Sequence, residues 1–214
     1  MTRFDECRYA FPPPGAWPED GDVVALGADL EPDTLLHAYA NGMFPMHVDS
    51  MRAELGWWSP VRRGIIPLDG LRVTRSMRQS ARRFTVTMDL SFEDVMRACG
   101  SMNRDGNWIT ENFVRAYARL HRMGHAHSVE VRTDGGTLVG GLYGVRIDRF
   151  FAGESMFHTA TDASKVALMH LVDWLRTEGV TLLDTQWCTD HLASLGCIEI
   201  DRPEYLRLLA LAID

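Results

Sequence analysis

Residues 128–157 read Ser128-Val-Glu-Val-Arg132, then Thr133-Asp-Gly-Gly136, then Thr137-Leu-Val-Gly-Gly-Leu-Tyr-Gly-Val-Arg-Ile147, and after Asp148, Arg149-Phe-Phe-Ala-Gly-Glu-Ser-Met-Phe157. Valine, isoleucine and aromatic residues dominate these runs, as pleated and half-buried strands require. Asp134-Gly135-Gly136 supplies the positive-φ turn that joins the first two as a hairpin. An amphipathic helix follows over 162–178, stopped by Gly179, and then a strand over 181–185. Hairpins that feed a crossover helix and return to a strand specify a mixed sheet covered by helices, an α/β (α+β) fold.

Outward from this centre the alternation continues. Downstream come a short helix near 191–195, a strand over 197–200 and a last helix opened by Pro203. Upstream, 74–83 reads as helix and 84–88 as strand. Ser91 with Asp94 opens a helix to Cys99. Thr110 opens another, with Phe113, Tyr117 and Leu120 on one face and Gly124 as its stop. Eight of the nine prolines lie at or before Pro67, so long regular elements cannot dominate the first part of the chain. One helix is expected there, with Pro32 in its first turn, Leu35, Leu36 and Tyr39 periodic, and Asn41-Gly42 as its end. Residues 1–61 are therefore expected to form a small irregular N-terminal domain, and 62–214 the mixed-sheet domain.

The 214 residues are 46% hydrophobic and 24% charged, which excludes wholesale disorder. Cys7, Cys99, Cys188 and Cys197 form no CxxC pair and read as reduced thiols of a cytoplasmic protein. The N-terminus carries Arg3, Asp5, Glu6 and Arg8 and lacks an apolar signal core. The apolar stretch 166–175 is broken by His170 and Asp173 and falls far short of the roughly 20 residues of a membrane span. No membrane partner is expected. The net charge of −7 argues against nucleic acid only if it is evenly spread, and it is not. Arginine supplies 21 of the 22 basic residues, and seven of them (Arg62, Arg63, Arg72, Arg75, Arg78, Arg82, Arg83) face one acid, Asp69, in a single run. On a helix Arg75, Arg78 and Arg82 share a face, a guanidinium stripe suited to phosphates; the alternative is a solvated helix surface.

Three further places could carry chemistry. Glu154 interrupts an apolar strand, so it either faces a cleft and meets a cation or forms a structural ion pair with arginine. Gly153 beside it would allow close backbone approach. Ser155 lacks the G-x-S-x-G frame of a nucleophile elbow. Asp184 and Gln186 are two apart on a strand, so their side chains are expected to share a face at its C-terminal end, where open sheets bind ligands; the alternative is loop capping. Metal is not expected: of His121, His125 and His127, Gly124 breaks the helix that would align the first two, and Cys188, His191 and Cys197 lack zinc spacing. Trp57-Trp58 reads as core, whereas Trp108 follows a Gly-Asn loop. No phosphate-binding glycine motif is present.

Ten motifs in one order sharpen this reading. They are Gly42-Met-Phe-Pro45, Trp57-Trp-Ser-Pro60, Arg75-Ser-Met77, Gly106-Asn-Trp-Ile-Thr110, Gly124-His-Ala-His-Ser128, Val139-Gly-Gly-Leu-Tyr-Gly144, Gly153-Glu-Ser-Met-Phe157, Ala163-Ser-Lys165, Asp184-Thr-Gln186 and His191-Leu-Ala-Ser-Leu-Gly196. Over about residues 11–210 the chain resembles leucyl/phenylalanyl-tRNA–protein transferases. The resemblance implies a small N-terminal domain followed by an acetyltransferase-like (GNAT) domain. It implies transfer of Leu or Phe, sometimes Met, from aminoacyl-tRNA to proteins with N-terminal Arg or Lys, marking them for degradation by the N-end rule. Met46 stands where the family usually has Trp, and Thr185 where Cys is commoner.

The resemblance and the residues together set the expected site. Asp184 and Gln186 orient the amine and the ester, with proton transfer through Asp184 or a ribose hydroxyl. Glu154, with Trp108 and Ser155, contributes to substrate binding. Phe151, Met156 and Leu142 form the apolar pocket. Arg62, Arg63, Arg75, Arg78, Arg82 and Arg83 grip tRNA. No cofactor is expected: an acetyl-CoA enzyme would want a glycine-rich basic loop where this chain has His158-Thr-Ala-Thr-Asp-Ala-Ser164. The rivals are a CoA-dependent N-acetyltransferase, a non-catalytic RNA-binding protein and a transferase that builds peptidoglycan bridges.

Overall fold

Strand pairing divides the molecule. The computed structural model describes residues 7–48, 54–101 and 108–213, so Arg3, Asp5, Glu6 and the Gly106-Asn107 pair lie outside the described residues. In chain order the elements are β1 (Val23–Leu26), α1 (Pro32–Ala40), β2 (Phe44–His47), β3 (Leu55–Trp58), β4 (Arg62–Ile65), α2 (Arg75–Ala81), β5 (Thr85–Met88), α3 (Phe92–Ser101) and α4 (Glu111–Arg122). They continue as β6 (Ala126–Arg132), β7 (Leu138–Ile147), β8 (Phe150–His158), α5 (Ala163–Thr177), β9 (Leu182–Gln186), α6 (Asp190–Ser194), β10 (Ile198–Asp201) and α7 (Arg202–Ala212). A three-stranded sheet runs β1-β3-β2, and a seven-stranded sheet runs β10-β4-β9-β8-β7-β6-β5. Every pair in the large sheet is antiparallel except β8 with β9, the pair joined by the crossover helix α5. The mixed, helix-covered sheet expected from 128–185 is the fold.

The two sheet faces follow from side-chain alternation. Leu142, Phe151 and Leu183 pack with Val166, Leu171 and Leu175 of α5. Their neighbours Tyr143, Phe150 and Leu182 turn the other way, into a core shared with α3, α4 and the N-terminal segment. That second core runs without a break through Tyr39, Phe44 and Trp57 to Tyr205 and Leu209 of α7. Trp57 is buried, as expected, and its indole N–H donates to the Gly27 carbonyl at 2.9 Å.

Two elements escape a reading by proline and charge. The proline-rich segment has no described element longer than the nine residues of α1, but three four-residue strands give it regular order. Pro45 is tolerated in β2 because β2 is an edge of its sheet. The other element is β4, whose Arg-Arg-Gly-Ile lies between β10 and β9 in the interior of the large sheet. Gly64 makes that possible: a Cβ there would sit 2.6 Å from the Trp187 backbone carbon and 2.7 Å from the Cys188 nitrogen.

Candidate active site

A cleft opens where the parallel strands part. β8 and β9 pair only from Phe150 with Leu182 to Ala152 with Asp184, although β8 continues to His158. Both strands then bulge. Gly144 faces Gly153 and Tyr143 faces Ser155, which leaves Glu154 as the extra residue of β8. Gly64 faces Gln186 and Ile65 faces Asp184, which leaves Thr185 as the extra residue of β9. A bulge ends regular pairing and re-aims the side chain it carries, so two facing bulges turn a sheet into a cleft. The gap is a cavity of about 520 Å³. Leu142, Met156, Leu168, Leu171 and Leu183 give it an apolar floor; Glu154, Ser155 and Gln186 are polar on its wall; Phe44, Trp108 and Trp187 are its aromatic rim.

Glu154 is the titratable centre of that wall. Its Oε2 accepts from the Tyr117 hydroxyl at 3.5 Å, and its Oε1 lies 3.4 Å from Gln186 Nε2. The Tyr117 and Tyr39 hydroxyls are 2.5 Å apart, and Tyr39 also hydrogen-bonds the carboxylate. Burial pushes the Glu154 carboxyl up to about 8; the Tyr39 hydrogen bond opposes the shift and the Asp184 charge adds to it. Burial, with Glu154 next in importance, also holds Tyr39, Tyr117 and Tyr143 well above the ordinary phenol range, so all three stay neutral donors.

Asp184 turns away from the cleft. It is fully buried, and Arg63 grips it through Nε to Oδ1 at 2.8 Å and Nη2 to Oδ2 at 2.6 Å. Arg63 Nη1 donates to the Gly42 carbonyl at 3.1 Å, and its guanidinium lies over the Tyr205 ring at 4.1 Å. Burial is the strongest influence and would lower the Arg63 pKa; the Asp184 charge, the Tyr205 phenol and the Asp184 hydrogen bonds together outweigh it and raise the group above its ordinary value. Gln186, at φ +58, takes the left-handed conformation rare outside glycine.

The remaining arginines are elsewhere. Thr74 caps α2 by accepting from the Met77 N–H at 3.2 Å, and Met77 is the residue the helix buries. Arg75, Arg78, Arg82 and Arg83 are exposed, and none has an ion-pair partner among the described residues. Ser80 donates to Asp162 at 3.0 Å, which ties the end of α2 to the start of α5. There His158, Ser164 and His191 line both the cleft and a polar hollow that also holds Lys165. The helix that carries the stripe is thus tied to α5, which borders the cleft through Ser164, Leu168 and Leu171.

Comparison with known proteins decides the family. The model of the leucyl/phenylalanyl-tRNA protein transferase family matches residues 65–210, and that of the family's N-terminal domain matches 28–61. The chain belongs to the leucyl/phenylalanyl-tRNA–protein transferase family. A transferase of that name from Pseudoalteromonas atlantica is 47% identical over all of this chain and 92% of its own length. One from Cereibacter sphaeroides is 52% identical over 86% of each. Among solved structures, a GCN5-related N-acetyltransferase from Kribbella flavida aligns at TM-score 0.41 and 14% identity, over 78% of this chain and 60% of that one, a likeness too slight to argue from. Like its relatives, the chain is an aminoacyltransferase.

In this transferase the expected site residues divide three ways. Glu154, Gln186, Trp108, Ser155, Met156 and Leu142 meet at one cleft. Phe151 does not: it lies where β8 and β9 are still paired and packs on Trp174 of α5, with ring centres 6.2 Å apart. Asp184 and Gln186 do not share a face, because the bulge at Thr185 and the positive φ of Gln186 break the two-residue period. Arg63 is buried and unable to meet tRNA, and Arg62 is already paired with Asp201 and with Glu199. The close approach expected at Gly153 falls instead at Gly144, where a Cβ would meet the Ala152 carbonyl oxygen at 2.2 Å; at Gly153 it would make ordinary contact. Sequence reasoning gave no site role to Tyr39, Tyr117, Tyr143 or Tyr205, and read Tyr39 and Tyr117 only as periodic residues of their helices. Their signal was a phenol on an apolar face, whose hydroxyl must find a partner once buried. Among the described residues no three His, Cys, Asp or Glu gather as for a metal; His127 instead bonds Asp89 at 2.8 Å.

Proposed function

We propose that the cleft moves Leu or Phe, and also Met, from aminoacyl-tRNA onto the α-amine of cytoplasmic proteins that begin with Arg or Lys, which marks them for degradation by the N-end rule. The observation that carries this reading is the meeting of an apolar floor and a carboxyl–amide pair in one cleft, with an exposed arginine stripe on a helix tied to α5, which borders that cleft. The floor suits an apolar side chain such as that of Leu, Phe or Met. The stripe suits phosphates. Residues 62–83 carry net +6, leaving −13 for the rest of the chain, a field that attracts a cationic N-terminus.

The chemistry is attack of an amine on an ester. An α-amine has a pKa of about 8 and must shed a proton to react. Asp184 is sealed by Arg63, so Glu154 is the proton acceptor: it reaches the cavity, and its own pKa near 8 matches the amine. The C–N bond forms as Glu154 takes the proton; the ester C–O bond then breaks and the proton passes to the departing ribose oxygen. The Gln186 amide, too weak a base to act alone, orients the carboxyl and the ester. At the start of α5, where an acetyl-CoA enzyme would place pyrophosphate, Asp162 pairs with Lys165 at 2.9 Å and supports a donor held elsewhere.

The test is transfer of radiolabelled Leu from charged tRNA to an Arg-initiated peptide. Label should enter that peptide and not one that begins with Gly, and the protein should gain no thermal stability from CoA. Binding of charged and uncharged tRNA alike without transfer overturns the reading, as does acetyl transfer from acetyl-CoA.

A further inference from the structure

We infer that Arg63 and Tyr205 are positioning residues for transfer, acting through Asp184 to fix Gln186, so that the last helix of the chain is part of the active site. The inference rests on the aminoacyl-transfer reading above.

The argument begins with the acceptor capacity of one carboxylate. An ionised Asp offers about four lone-pair sites. At Asp184 all four are filled: Oδ1 accepts from Arg63 Nε at 2.8 Å and from the Gln186 N–H at 2.9 Å. Oδ2 accepts from Arg63 Nη2 at 2.6 Å and from the Tyr205 hydroxyl at 3.1 Å. No site is left for a substrate proton, and the side chain has no exposed surface. What Asp184 does reach is the backbone of Gln186, two residues on, in a turn that holds the left-handed φ of +58. That conformation persists only where the surroundings over-determine it. Here it is what brings the Gln186 amide beside Glu154 rather than onto the strand's regular face.

Asp184 is itself held by groups far away in the chain. Arg63 comes from β4, and Tyr205 from α7. The Tyr205 hydroxyl serves both ends of the ion pair: it accepts from Arg63 Nη2 at 3.1 Å and donates to Asp184. Its ring covers the guanidinium at 4.1 Å, with Phe44 at 5.0 Å. Removing the hydroxyl alone opens one acceptor site on Asp184 and loosens the clamp on Gln186 while the ring stays in place.

The experiment is steady-state transfer by Tyr205→Phe, with each rate normalised to the folded fraction from circular dichroism. The expected result is a kcat lower by about tenfold, with KM for charged tRNA and for peptide within about twofold, since the stripe and the cavity floor are untouched. Arg63→Lys, which keeps the charge and loses the fork, should lower kcat further. Leu209→Ala, buried on the same helix outside the network, is the control for stability: it should lower the melting temperature and leave kcat unchanged. A Tyr205→Phe kcat equal to wild type overturns the inference and leaves the transfer reading standing, whereas a wild-type protein that transfers nothing overturns both. Should Tyr205→Phe not fold, hydrogen exchange in the wild-type protein decides. The Gln186 amide should rank with the slowest of the sheet, and exchange at loop rates overturns the inference.

Discussion

Arg63 and Arg78 belong to one run of arginines fifteen residues apart, and the fold gives them opposite lives. Arg63 is 1% exposed, with its charge matched by a buried carboxylate, a phenol and a carbonyl. Arg78 stands on the outer face of α2 with no acid beside it. Arg62, next to Arg63, is 54% exposed yet already paired with acids of β10. The difference shows that a cluster of like charges in sequence is not one in function. Alternation along a strand sends neighbours to opposite faces, so Arg62 and Arg63 part at once. Helical periodicity keeps Arg75, Arg78 and Arg82 together.

The strongest way to break the comparison is to remove the buried guanidinium. Arg63→Ala leaves the Asp184 carboxyl without its partner in the interior, and should cost about 3–5 kcal/mol of stability, read by chemical denaturation. A loss under 1 kcal/mol would mean that the buried half of the run is no different from the exposed half. Next comes the carboxyl that the same network leaves without a cation of its own. Glu154→Gln should lower kcat by on the order of 100-fold and make the rise of rate near pH 8 shallower, leaving only the deprotonation of the amine in the profile. Stability supplies the sign check. Folded Glu154 keeps its proton to about 8 while the unfolded chain loses it near the ordinary value of 4.5. Wild-type stability should therefore fall as pH rises through that window, and the Gln variant should flatten the fall in a melting series.

The exposed half should answer differently. Arg75→Ala, Arg78→Ala and Arg82→Ala combined should leave stability within about 0.5 kcal/mol per site, because these side chains have no ion-pair partner among the described residues. The same triple variant should weaken tRNA binding and reduce its log–log salt slope by about 2–3, measured by filter binding over a salt series. The smallest effect is expected at Arg62→Ala. Its surface pairs are worth at most about 1 kcal/mol, and the tRNA salt slope should stay at the wild-type value. A drop in that slope at Arg62 would move it into the stripe.

The sequence by itself determined what depends on near neighbours. The hairpin at 134–136, the crossover helix before Gly179, and the stripe of α2 all rest on periods of two or 3.6 residues and on turn chemistry, and each is where the residues place it. The ordered motifs likewise named the family. Glu154 and Gln186 were legible as candidates because a polar group in an apolar strand needs a reason to be there. Only the tertiary structure decided which candidates meet. Arg63 finds Asp184 from 121 positions away, and Tyr205 completes the pair from 21 beyond it. The bulges at Glu154 and Thr185 arise from pairing between strands, so no single strand's pattern announces them. Nor could charge alone say which arginine would be buried. A guanidinium enters the interior only where a carboxylate, a carbonyl and a phenol converge on it, and that convergence belongs to the fold.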